Sequence, residues 1–282
     1  MIVLKCILVL SFLCIPAFAF AWGPLTHIYL GNELCSLGAL LPAGIIEIIR
    51  RYRKDFIYGN LMADIIVGKK YLPDHKNSHN WDFAFDLLQA SETRQQKAFS
   101  YGYLSHLAAD TVAHNIYTAD KKNIRHTVLE MKADCIIDKK YRLQAMAIDR
   151  KIQLRNDIFL ENSLDRFIFS FKTNKRILRG MVFLTIFYPE QIGDFIDKNL
   201  LTSLPARETI EKLHRDSLDN IIDLFRNLEK SEVVKINPIG NGHRRKLLKN
   251  ELKAFFFKPL GKTDSVFPRS YKRIAMRRAK DI

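Results

Sequence analysis

SETRQQKAFSYGYLSHLAADTVAHNIY, residues 91–117, holds no proline and opens on Ser91-Glu92-Thr93, the polar start a helix favours. Its apolar residues recur at three-to-four spacing, so Glu92 to Tyr117 reads as one long helix. With about 3.6 residues per turn, His106, Asp110 and His114 lie one above the other on a single face. A stretch this long, carrying polar donors inside an apolar pattern, points to a helical protein with a polar site in its interior.

The same periodicity recurs outward from it. Pro42–Lys54, with Ile45, Ile46, Ile48 and Ile49 ahead of an Arg-rich end, reads as an amphipathic helix, and Pro42 suits its first turn. Lys122–Lys140, Glu161–Phe171, Lys175–Phe187, Arg207–Leu228 and Lys246–Phe257 read the same way. Alternating strand-like runs are scarce, and Gly and Pro fall mostly between the helical stretches. The expected fold class is all-α, a multi-helix bundle. Val233–Gly242 is the one credible linker, so a helical domain over 22–240 is expected, followed by a basic extension, 241–282, packed on it.

The first 21 residues, MIVLKCILVLSFLCIPAFAFA, combine Lys5, an apolar run and Ala19-Phe20-Ala21, the parts of a secretory leader. Cleavage after Ala21 places Trp22 at a new N-terminus, where its free amine and carbonyl form a chelating pair five residues ahead of His27. The chain is then expected to be secreted or periplasmic. Beyond the leader no apolar run approaches the roughly 20 residues of a membrane span; Gly180–Tyr188 comes nearest. Cys35 and Cys135 remain, and they are either a disulfide of an exported chain or two small buried side chains. The formal charge of +15, concentrated in His243–Lys246 and Arg269–Lys280, suits phospholipid surfaces, nucleic acid or another polyanion, or else a solvated helix face. No obligate protein partner is inferred.

Twelve residues after His114 comes His126, with Glu130 one turn further on. Facing helices with such pairs hold metals in bundle cores, and imidazole with carboxylate but no thiol suits catalytic zinc. Each pair alone is more often a hydrogen-bonded histidine than a ligand. His79, Asp64 and the Trp22…His27 start extend the series. Of the other histidines, His75 is a substitute for His79, His214 reads as a helix-surface residue and His243 as part of the basic run.

The ordered set Trp22, His27, Asp64, His79, His106, Asp110, His114, His126 and Glu130 resembles the trinuclear-zinc site of the zinc-dependent phospholipase C family, to which fungal single-strand nucleases with 3′-nucleotidase activity are related. The resemblance implies three zinc ions. One takes Asp64, His79, His106 and one oxygen of Asp110; a second takes His114, His126 and Glu130. The third takes the Trp22 amine and carbonyl, His27 and the other oxygen of Asp110. It also implies attack on phosphorus by a metal-bound hydroxide, with Asp64 as proton acceptor.

Departures bear on substrate. Asp110 and His114 are closer in sequence than in well-studied members, and the Trp22–His27 spacing looks more like the nucleases. Glu130 ends the series as in the phospholipases, while Ile65 stands where choline-specific members place an aromatic. The expected activity is a phospholipase C releasing diacylglycerol and a phosphorylated head group. The alternatives are a nuclease or 3′-nucleotidase acting on nucleic acid at the same site, and a catalytically silent metal-binding envelope protein. Trp81, Tyr101 and Tyr103 are the candidates for base stacking, set against an ordinary core role.

Overall fold

The central helix forms where its cap dictates. In the computed structural model, Thr93 accepts from Gln96 N–H (3.2 Å) and the Gln96 side chain accepts from Thr93 N–H (2.9 Å), a reciprocal capping box. The helix runs Arg94–Val112. The structure describes residues 22–65, 79–114, 133–164, 170–187 and 207–240. The chain divides into two compact units, Met1–His243 and Arg244–Ile282, and every described residue belongs to the first.

The helices are α1 (Pro24–Ser36), α2 (Ala43–Arg51), α3 (Arg53–Met62), α4 (Trp81–Gln89), α5 (Arg94–Val112), α6 (Lys139–Met146), α7 (Arg150–Ser163), α8 (Phe171–Phe187) and α9 (Arg207–Asn227). No strand occurs among the described residues, and the fold is all-α. From Gly102 to Val112 every residue of α5 is buried, as befits a helix enclosed on all sides. The helices α3, α4 and α9 surround it, and α1 packs on α3 and α9.

The crossing of α3 and α5 sets the geometry of everything that follows. A Cβ at Gly59 would lie 2.0 Å from Phe99 O, and one at Gly102 would lie 2.0 Å from Phe56 O. Only hydrogen fits at either place, so the two backbones touch directly. The residues just beyond the two glycines then face each other at backbone distance.

Several helix boundaries differ from the periodicity reading, each for a local reason. Pro42–Lys54 is not one helix; the chain breaks at Tyr52 (φ −118°, ψ 42°). In α2 one stripe is buried (Ile45, Ile46, Ile49), whereas in α3 everything from Asp55 to Met62 is, and one straight rod cannot meet both demands. Pro42 is the residue just before α2 rather than in its first turn. Lys122–Lys140 is interrupted at its end, because the Asp138 carboxylate accepts from Lys140 N–H (2.8 Å) and starts α6 afresh. Glu161–Phe171 is likewise not one continuous helix: α7 stops at Ser163, Leu164 is extended and Phe171 opens α8, while 165–169 lie outside the described residues. Arg207–Leu228 is α9 to within a residue. The periodicity reading misses α1, α4 and most of α7. Residues 122–132 and the predicted helix Lys246–Phe257 lie outside the described residues.

Cys35 and Cys135 form no disulfide with each other, and both are half-buried. Among the described residues no helix is long and apolar enough to cross a membrane.

Candidate metal centre

Four segments deliver the donors. From α5 come His106 and Asp110, one turn apart and fully buried; α3 runs out into Asp64; His79 directly precedes the Asn80 cap of α4; and α1 carries His27. Asp110 Oδ2 lies 2.8 Å from His79 Nε2 and 3.2 Å from His106 Nε2. Its other oxygen, Oδ1, lies 3.2 Å from His27 Nε2. Asp64 Oδ1 closes the group at 3.4 Å from His106 Nε2 and 3.9 Å from His79 Nδ1. Ligand atoms of Asp64, His79, His106 and Asp110 all fall within 4.8 Å of one another, and all four residues are buried.

Backbone carbonyls orient the rings. His106 Nδ1–H donates to Asn60 O at 2.7 Å, which turns the Nε2 lone pair toward the carboxylates. Ala63 O sits 3.3 Å from His79 Nδ1. Both carbonyls belong to the end of α3, brought to α5 by the Gly59–Gly102 crossing. The His27 ring stacks on His106 at 3.7 Å between centroids, 18° from parallel.

The arrangement fits a cation. Both nitrogens of His27, His106 Nε2 and Asp110 Oδ1 are buried without a hydrogen-bond partner. Such atoms are costly unless something else satisfies them. The donor set is imidazole and carboxylate with no thiol, which suits catalytic zinc among the divalent metals. The protonation balance says the same. Burial pulls the His106 imidazole down, yet Asp110 and Asp64 overcome it and hold the group up at about 9. Burial raises Asp110, but His106 and His27 outweigh it and keep that carboxyl well below the usual range. Burial, followed by His106, pulls His27 down. The two carboxylates therefore favour a positive charge beside them, whether a proton on His106 or a bound cation.

The other sequence-predicted residues sit as follows. Trp22 is fully buried, its indole N–H donating to Ala109 O (3.2 Å) and Ser217 Oγ (3.1 Å). His114 is buried one turn beyond Asp110, and a Cβ at Gly240 (φ 68°) would lie 3.3 Å from its Cβ. His126, Glu130 and His75 lie outside the described residues. Trp81 and Tyr103 are buried and Tyr101 meets Phe225 edge-on at 5.6 Å, so these aromatics build the core.

His214 is not a surface residue. It is buried on the inward stripe of α9 with Ser217, Leu218 and Ile221, edge-on to Trp22 at 5.0 Å. Burial pushes it down to about 4 from the ordinary 6.5. A depressed folded-state value means that the unfolded chain binds the extra proton. The stabilisation is therefore complete above about pH 6.5 and is lost as pH falls toward 4, a contribution of roughly 3 kcal/mol. Thermal denaturation from pH 7 to 4 should show His214→Phe losing less stability on acidification than the wild type.

Sequence reasoning also missed Asp134. Its carboxylate accepts from Leu25 N–H (3.1 Å), Thr26 N–H (2.8 Å) and the Thr26 hydroxyl (2.9 Å). The N-cap of α1 is Gly23, which has no side chain to cap with, so Asp134 does so from across the fold. The contact also explains the glycine: a Cβ at position 23 would lie 2.4 Å from that carboxyl. The one signal in the sequence was a helix start, Gly23-Pro24, with no capping residue of its own. Asp134→Ala should lower stability by about 2 kcal/mol and loosen His27, while Asp134→Asn keeps part of the cap; denaturant unfolding reads both.

The buried cluster of two carboxylates and three imidazoles, set in an all-helical fold, could hold a metal ion. The sequence model of zinc-dependent phospholipase C matches residues 26–175, a little over half of the chain, and the chain belongs to that family. His27, Asp64, His79, His106 and Asp110 all fall inside the match, and Trp22 lies just ahead of it. No curated protein and no solved structure matches. Family and centre together define a zinc-dependent phosphodiesterase.

Proposed function

We propose that the protein is an exported phospholipase C that hydrolyses phospholipids to diacylglycerol and a phosphorylated head group. The observation that carries this reading is the buried centre in which Asp110 faces His79 and His106 with one oxygen and His27 with the other. When bound, zinc supplies Lewis acidity, activating water and neutralising charge at phosphorus. The chain's own residues do the rest. Asp110 would offer a metal both of its oxygens, and His27 and His106 their unpartnered nitrogens. Asp64, its Oδ1 beside His106, is the group to take a proton from the attacking water. Trp22 as mature N-terminus, together with His114, His126 and Glu130, would bring the number of zinc ions to three. The leader 1–21 supports a secreted or periplasmic location.

Mature protein starting at Trp22, loaded with zinc, should release diacylglycerol from mixed phospholipids, read by mass spectrometry alongside single-stranded DNA as substrate. Nucleotide release without diacylglycerol would overturn the lipase reading in favour of the nuclease. Zinc retained with no ester cleaved would favour a silent metal-binding protein.

A further inference from the structure

Outside the metal centre, the face formed by α7 and α8 combines two features that belong together at a lipid surface. A cavity of about 450 Å³ is lined by Arg150, Leu154 and Asp157 of α7 and by Lys175 and Arg179 of α8. Its one carboxylate is already engaged: Asp157 accepts from Tyr58 OH at 2.6 Å and pairs with Lys175, whose ammonium lies 5.6 Å over the Tyr58 ring. Arg150 and Arg179 are exposed and make no ion pair among the described residues, so two guanidiniums face the cavity with their charge unspent. Beside them Leu154 (59% exposed) and Ile158 (51%) stand one turn apart on α7. Two exposed branched side chains in register are unfavourable in water but suit the interfacial layer of a bilayer. Lys151 shares that exposed side, whereas the Arg155 guanidinium is committed to the buried Asp55 carboxylate.

We infer that this face docks on anionic phospholipid bilayers, with a lipid phosphate between Arg150 and Arg179 and with Leu154 and Ile158 entering the interface. Planar guanidiniums hold phosphate oxygens two at a time, and unpaired cations at an anionic membrane each add attraction. None of these residues belongs to the metal centre, so docking and hydrolysis are separate acts. The inference rests on the phospholipase reading only for its physiological sense.

Sedimentation of the zinc-loaded protein with vesicles in the cold tests it. Binding to phosphatidylglycerol-containing vesicles should exceed binding to pure phosphatidylcholine and weaken with salt. Arg150→Glu with Arg179→Glu should lower it by at least about tenfold. Leu154→Ser with Ile158→Ser should lower it as well. Zinc content and cleavage of a soluble short-chain phospholipid should stay unchanged in both variants. Lys97→Glu with Lys212→Glu, both exposed elsewhere, changes net charge equally and should bind as the wild type does. Equal loss in that control would overturn the inference, since net charge alone would then act. So would undiminished binding of the arginine variant. Competition by inorganic phosphate in a protein that ignores vesicles would mark a small-anion site instead. A protein that docks but cleaves no lipid would overturn the proposed function and leave the surface standing.

Discussion

Asp110→Asn should empty the centre. Protein purified in zinc-containing buffer should carry at least one zinc fewer per chain than the wild type by elemental analysis, and its hydrolytic rate should fall by about 10³-fold, roughly 4 kcal/mol. Asp110 is fully buried, and both its oxygens are turned to imidazole nitrogens, Oδ2 to His79 and His106 and Oδ1 to His27. Asparagine keeps the volume, so packing on α5 survives. It removes the negative charge and replaces one acceptor oxygen by an N–H₂ donor, which repels a cation. The charge that balances His27 and His106 goes with it. Circular dichroism should show helix content retained. A variant that holds zinc as the wild type does would refute Asp110 as the shared ligand.

Gly102→Val should cost the most in stability, about 4 kcal/mol or more, enough to leave little soluble protein. The new Cβ would lie 2.0 Å from Phe56 O and 2.9 Å from Asn60 N, both backbone atoms of α3 that cannot swing aside. The crossing has to open, and opening it carries Asn60 O away from His106 and Asp64 with it. Gly102→Ala is the milder form, and should give soluble protein with a lowered melting temperature and weakened zinc retention. Gly180 on α8 provides the contrast. Nothing lies within 4 Å of a Cβ there, so Gly180→Ala should instead stabilise by about 0.5–1 kcal/mol. Thermal denaturation of the two alanine variants should therefore shift in opposite directions.

Much of the helical pattern was legible in the chain, and the reason lies in one-sided burial. Where one face meets the core, as in α2 and α9, apolar spacing marks the helix. In α1 and α7 the spacing is weak and the element or its start was lost. By contrast α5, enclosed on all sides, stayed legible through its polar start and its lack of proline. His214 was misplaced for a related reason: a histidine on an otherwise charged helix looks solvent-facing until its stripe is seen to continue through Ser217 and Ile221. Asp134 could not be read at all, because capping from more than a hundred residues away leaves no local pattern.

The sequence by itself determined the helical class and the pairing of His106 with Asp110, since residues four apart on a helix are neighbours whatever surrounds them. It also ordered the donor residues along the chain and, through their resemblance to a known set, named the metal. Only the tertiary structure decided that Asp64, His79 and His27, from three separate segments, meet that pair in one buried place. Chain spacing constrains contacts within a helix but not between helices. That second distance is set by two glycines whose missing side chains let α3 and α5 touch.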